Sequence, residues 1–184
     1  SWYAELGYDY IVERLKKLDD NPIVSIGSSS CEHEIQLEKL SGRKIICVDP
    51  NPGEFASDSP VQETRQPDYT TAEDYAKANP KAIGNCHILL IWPEPNFSTY
   101  DVMAINLLKP KSVILVYEST GSSGGVTLRL WVEKIGGPGE MNEYEKKTAE
   151  DDQLPSLEYK IIGRLEKLHK GESLFDTFNH VVLH

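Results

Sequence analysis

Pro22-Ile-Val-Ser-Ile-Gly-Ser-Ser-Ser-Cys-Glu32, followed by Lys44-Ile-Ile-Cys-Val-Asp49, decides the fold. An apolar run ends at Gly27 and gives way to small hydroxylated residues. A helical pattern covers residues 32–40, and a second apolar run ends in an acid 22 residues after the glycine. This is a β-loop-α-β unit. Its first loop can lie against a ligand, and its second strand can end in a carboxylate aimed at a ribose. A nucleoside-bearing cofactor is the natural occupant.

The rest of the chain repeats the alternation. Residues 8–18 carry Ile11, Val12, Leu15 and Leu18 at helical spacing, ended by Asp19-Asp20-Asn21-Pro22. Gly42 is placed to cap the helix over 32–40, and Thr71 to start a short helix over 70–78. The runs 87–92 and 112–117 are continuously apolar, as parallel strands covered on both faces require. Helices are expected over 100–108 and 126–135, and closing strands over 157–168 and 180–183. Two long loops are expected. One is the Pro-, Ser- and acid-rich stretch 50–68; the other runs from Gly136-Gly137-Pro138-Gly139 through Asp152. The fold class is α/β: one three-layer, doubly wound, mostly parallel sheet with a C-terminal antiparallel hairpin, a single domain over 1–184.

Composition narrows the function. At 184 residues with 39% hydrophobic content and no stretch of membrane-spanning length, the chain reads as soluble, with no membrane partner. No charged-apolar-small signal segment opens it. Three cysteines in or beside apolar runs, without a CxxC pair, argue against a disulfide framework and for a reducing, cytoplasmic setting. A net charge of −10 disfavours direct nucleic-acid binding, which needs a cationic face. The five histidines show no zinc-ligand spacing, so no metal is expected. Acidic segments such as 144–152 suit a solvated loop or a protein partner's surface.

A dinucleotide fingerprint would place glycines at 27, 29 and 32. Only Gly27 is present, and Glu32 would repel a pyrophosphate at the helix start. A hydrolase elbow, Gly-x-Ser-x-Gly, fails at Cys31. Taken alone, Gly27-Ser28-Ser29-Ser30 reads equally as a turn with a serine helix cap. Asp49-Pro50 alone reads equally as a strand end. Together at this spacing they favour a nucleoside cofactor held by Gly27, Ser28, Ser29, Asp49 and Pro50.

At these positions the chain resembles the class I S-adenosylmethionine-dependent methyltransferases, which carry acid-x-Gly-x-Gly-x-Gly in the first loop and a ribose-binding acid after the second strand. The matching positions are Ser25, Gly27, Ser29, Cys31 and Asp49. Only the first glycine and the ribose acid are kept. Leu89-Leu-Ile-Trp-Pro-Glu-Pro95, Val113-Ile-Leu-Val-Tyr-Glu118 and Gly124-Gly125 resemble a divergent branch with a Trp-Pro pair after the family's fourth strand and a Glu after its fifth. The resemblance implies S-adenosylmethionine as cofactor, without a metal, and a small-molecule or protein methyl acceptor. Base methylation is not implied, because Trp92-Pro93-Glu94-Pro95 replaces the Asp/Asn-Pro-Pro-aromatic of enzymes that act on amino groups of bases.

Beyond the central strand, Trp92 is placed either to stack on a cofactor ring or to cap the core. Glu94 and Glu118, at strand ends, are the candidate catalytic groups, as general base or as partner for an ammonium. The rival reading is a catalytically degenerate methyltransferase-fold domain that serves as a protein-binding or scaffold module. It is motivated by the missing acid at Ser25 and the two lost glycines.

Overall fold

The computed structural model describes residues 8–51, 63–94, 98–118, 124–137, 141–165 and 178–183, the side chains of 117, 118, 162–165 and 178–183 excepted. In chain order the elements are α1 (Tyr8–Lys17), β1 (Ile23–Ile26), α2 (Glu32–Ser41), β2 (Ile45–Val48), α3 (Ala72–Ala78), β3 (His87–Ile91), α4 (Tyr100–Leu108), β4 (Ser112–Glu118), α5 (Val126–Lys134), α6 (Glu143–Thr148), β5 (Ile161–Leu165) and β6 (Phe178–Leu183). Short 3-10 turns occupy Pro80–Ala82 and Asp151–Gln153.

The strands form one sheet in the order β2-β1-β3-β4-β6-β5. The first four are parallel, with Ser25 of β1 opposite Cys47 of β2 and Leu89 of β3. β6 runs antiparallel to both β4 and β5. The segment joining β5 to β6 lies outside the described residues, as does most of the loop expected over 50–68.

Alternate strand residues enter two cores. Val24, Ile26, Val48, Ile88, Leu90, Val113 and Leu115 pack beneath α3, α4 and α5. Ile23, Ile45, Leu89, Ile114 and Val116 pack beneath α1 and α2. Continuous apolar strands are therefore buried on both faces, as the runs in the sequence require. After β1 the chain moves outward to β2; after β3 it moves the opposite way to β4. With crossovers of constant hand, that reversal puts α2 and α4 on opposite faces. In open α/β sheets such a reversal, here between the carboxyl ends of β1 and β3, is where a ligand crevice forms.

Local signals behave as the sequence predicts at two helix ends. Thr71 Oγ1 accepts from the Asp74 N–H at 3.0 Å, capping α3. Gly42 has φ +71° and donates to Glu38 O at 2.8 Å, closing α2. Two expectations are corrected. The charged stretch after Gly139 is not a continuous loop but holds α6. There Asn142 and Glu145 form a reciprocal capping box, and the nearly buried Arg129 of α5 pairs with Glu145. No serine caps α2 either: Cys31 is its N-cap, in a left-handed conformation with no side-chain capping bond.

Candidate functional site

The first loop is built from alternating backbone handedness. Gly27, Ser29 and Cys31 have φ of +82°, +52° and +64°, interleaved with residues of negative φ. The N–H groups of Gly27, Ser28, Ser29 and Cys31 all find acceptors inside the protein. Asp49 Oδ2 accepts from the Ser29 N–H at 2.7 Å, while Oδ1 accepts from the Asn51 N–H at 2.7 Å. Gly27 and Ser28 both donate to Val48 O, at 2.8 and 3.2 Å. The loop after β1 is thus tied to the end of β2. Each Asp49 oxygen still has acceptor capacity for a further donor.

Behind the loop stands an acid that the sequence pattern does not single out. Glu34 of α2 is buried, and its Oε2 accepts from Ser25 Oγ at 2.5 Å. Its other oxygen, also buried, has no hydrogen-bond partner among the described residues. Burial pushes this carboxyl up to about 7, opposed by the Ser25 hydroxyl. A carboxylate therefore does stand against Ser25, but it comes from the helix. Only its helical position, one turn past the loop, hints at this in the sequence.

Arg65 is a second such residue, hidden in a Pro- and acid-rich stretch. Its guanidinium bonds Glu38, Ile45 O at 2.8 Å and Cys47 Sγ at 3.3 Å, and its N–H donates to Ser30 O at 3.0 Å. The adjoining segment runs along β2, with Asp68 N–H donating to Cys47 O and Asp49 N–H to Tyr69 O. Cys31 and Cys47 pack together with Ile35, buried and unpaired by disulfides.

Across the crevice, Trp92 takes φ +47° and donates its N–H to Val116 O at 2.8 Å. Its ring packs on the core beneath α1 and α2, edge-on to His33 at 5.7 Å. His33, pushed down to about 4 by burial, also bonds the Tyr8 hydroxyl. Glu94 is exposed two residues further on. Glu118 ends β4 opposite Phe178; its side chain, like Pro95 and Asn96, lies outside the described residues.

Two neighbours at the start of α4 complete the edge, and the sequence pattern singles out neither. A Cβ built on Gly27 would stand 2.5 Å from Tyr100 Oη, 3.3 Å from its Cζ and 3.4 Å from its Cε2. Burial, with the charges of Asp101, Glu94 and Asp49 nearby, raises the phenol well above its ordinary value. Asp101 is fully buried and accepts from the Val102 N–H at 2.6 Å and the Gly125 N–H at 3.4 Å. Burial pushes it up to about 7. Gly124, at φ +86°, donates to Pro93 O at 2.7 Å, so the loops after β3 and β4 are joined.

The opposite edge of the sheet holds another polar network. His87 Nδ1 lies 2.7 Å from Ser112 Oγ, and Nε2 lies 2.7 Å from Asp19 Oδ1. The residue types are those of a hydrolytic triad, yet Ser112 is only 3% exposed and cannot meet a substrate. The network pins the starts of β3 and β4 to the end of α1.

Among the described residues no group of three His, Cys, Asp or Glu side chains is arranged to hold a metal, and no helix is long and apolar enough to cross a membrane. No family model matches the chain, and no curated protein is significantly similar to it.

Proposed function

We propose that the crevice between β1 and β3 binds a nucleoside-bearing cofactor, S-adenosylmethionine, and that the protein transfers its methyl group to a small-molecule or protein acceptor. One observation carries the reading. At the point where strand order reverses, a positive-φ glycine and a strand-end aspartate are fixed to each other through the Ser29 N–H, in the order and spacing that nucleoside sites use. In this reading Gly27, Ser28, Ser29, Asp49 and Pro50 cradle the nucleoside, and Asp49 uses its remaining acceptor capacity on the ribose hydroxyls. Glu94 and Glu118 flank the acceptor. Catalysis then comes mainly from aligning donor and acceptor for in-line displacement, with no covalent intermediate on the chain.

A second reading has its own support. Tyr100 stands where a ligand would approach Gly27, and Trp92 packs on the core beneath α1 and α2. Both fit a methyltransferase-fold domain that has lost catalysis and serves as a protein-binding scaffold. Calorimetric titration with S-adenosylmethionine, S-adenosylhomocysteine and NAD separates the readings. The enzyme reading expects binding of the first two and not the third; the scaffold reading expects no binding at all.

A further inference from the structure

The lack of a side chain at Gly27 is used, in the ligand-free protein, by another residue. The far end of the Tyr100 ring, its Oη, Cζ and Cε2, occupies the space directly above the glycine. Tyr100 is the first residue of α4, and Thr99 before it makes no side-chain capping bond. Its ring also packs against the core beneath α3, α4 and α5. A side chain at the end of the β3–α4 connection thus lies over the loop after β1.

Resting on the nucleoside reading above, we infer that Tyr100 is the access-determining residue of the crevice: a nucleoside-bearing ligand reaches the Gly27 backbone only when the phenol ring has swung out of it. A ligand in van der Waals contact with the Cβ side of Gly27 needs the volume that the ring fills, because an added Cβ alone would already lie 2.5 Å from the hydroxyl. Leaving that space costs the ring part of its packing. The open form is therefore the minor one, and the apparent affinity is reduced by its fractional population.

Tyr100→Leu tests this, since leucine keeps the inner packing but ends short of the atoms that face Gly27. Tyr100→Phe removes only the closest atom. S-adenosylhomocysteine is titrated calorimetrically into wild type and both variants, with circular dichroism confirming the fold. Expected is an affinity about tenfold tighter for Tyr100→Leu, as when a competent form rises from about a tenth to most of the population, and about threefold tighter for Tyr100→Phe. If wild type binds and Tyr100→Leu binds equally or more weakly, Tyr100 is a fixed wall and the inference fails while the nucleoside reading stands. If Tyr100→Leu does not fold, an unchanged affinity in Tyr100→Phe overturns it. If no folded variant binds, the inference and the nucleoside reading fall together.

Discussion

The Ser29 N–H donates to Asp49 Oδ2 at 2.7 Å, so the aspartate at the end of β2 organises the loop after β1 before any ligand arrives. Asp49→Ala should therefore act twice. In the ligand-free protein it leaves the Ser29 and Asn51 N–H groups without their acceptor, and stability should fall by about 1–3 kcal/mol, read from urea unfolding. S-adenosylhomocysteine affinity should fall by a further ~1.5–3 kcal/mol, the range for a charge-assisted hydrogen-bonding group. A loss of stability with ligand affinity intact would leave Asp49 as loop architecture and nothing more.

Gly27 invites a variant that needs no ligand to be informative. A side chain there meets Tyr100 at 2.5 Å and must adopt φ +82°. Gly27→Val should destabilise the free protein by about 2–4 kcal/mol, combining a strained backbone with overpacking. It should also abolish nucleoside binding. Cys31→Ala, which stays small beside the loop, should leave nucleoside binding nearly unchanged but cost stability. Cys31 is fully buried against Cys47 and Ile35, and Cys31→Gly would instead relieve its φ of +64°. A thermal melt in which Gly27→Val matches wild type would remove the steric argument.

The pH dependence of stability follows from Glu34. Its carboxyl is raised from the ordinary 4.5 to about 7, by burial first and with Asp49 adding to the effect. Arg65 and the Ser25 hydroxyl oppose the shift, and the Cys31 and Cys47 thiols are the other titratable groups nearby. Between about pH 4.5 and 7 the unfolded chain releases this proton while the folded chain keeps it. Stability is thus full below that window, falls as pH rises through it and levels off above. Asp101, raised from 3.8 to about 7, acts in the same direction. Glu34→Gln should flatten the profile, raising the urea midpoint at pH 8 more than at pH 5. Parallel profiles for variant and wild type would show that Glu34 does not titrate there.

Much of this architecture is readable in the sequence because its causes are local. Thr71, Gly42 and the apolar runs 87–91 and 112–116 act within a few residues of where they stand. The residues that shape the crevice are not readable, because each works at a distance in the chain. Glu34 reaches back to Ser25, and Arg65 to Glu38 and Cys47. Tyr100 meets Gly27 only because β3 lies beside β1. The helix α6 escapes a periodicity reading for the opposite reason. Its capping box is visible at Asn142 and Glu145, but its charged surface offers no buried residue to mark a helical face.

The network at the other edge of the sheet predicts a separation of effects. His87 is buried with both ring nitrogens bonded, to Ser112 and Asp19. His87→Ala leaves the Ser112 hydroxyl buried without its partner and should cost about 1–3 kcal/mol beyond the lost packing. Ligand affinity should not change, since His87 and Ser112 begin the strands whose far ends frame the crevice. Asp19 is held well below the ordinary carboxylate range, chiefly by its bond to His87. Its contribution is therefore present above about pH 4 and lost as acid protonates it. Reduced S-adenosylhomocysteine binding by a folded His87→Ala protein would mean that the two edges are coupled.

Glu94 decides between enzyme and scaffold. It is exposed at the carboxyl edge, and its charge lies close enough to Asp101 to help keep that buried acid protonated. A carboxylate so placed is free to take a proton from an acceptor or to orient an ammonium. If the protein transfers methyl groups, Glu94→Gln should lower turnover by about a hundredfold while leaving S-adenosylmethionine affinity within about twofold, the pattern of a group that acts in the transition state. Glutamine keeps the size of this exposed side chain, so the fold should persist. A scaffold predicts a different result: no methyl transfer to a panel of protein and small-molecule acceptors by wild type, and no change in S-adenosylmethionine affinity because there is none to change. Measurable turnover that survives Glu94→Gln intact would keep the enzyme and move its chemistry to Glu118.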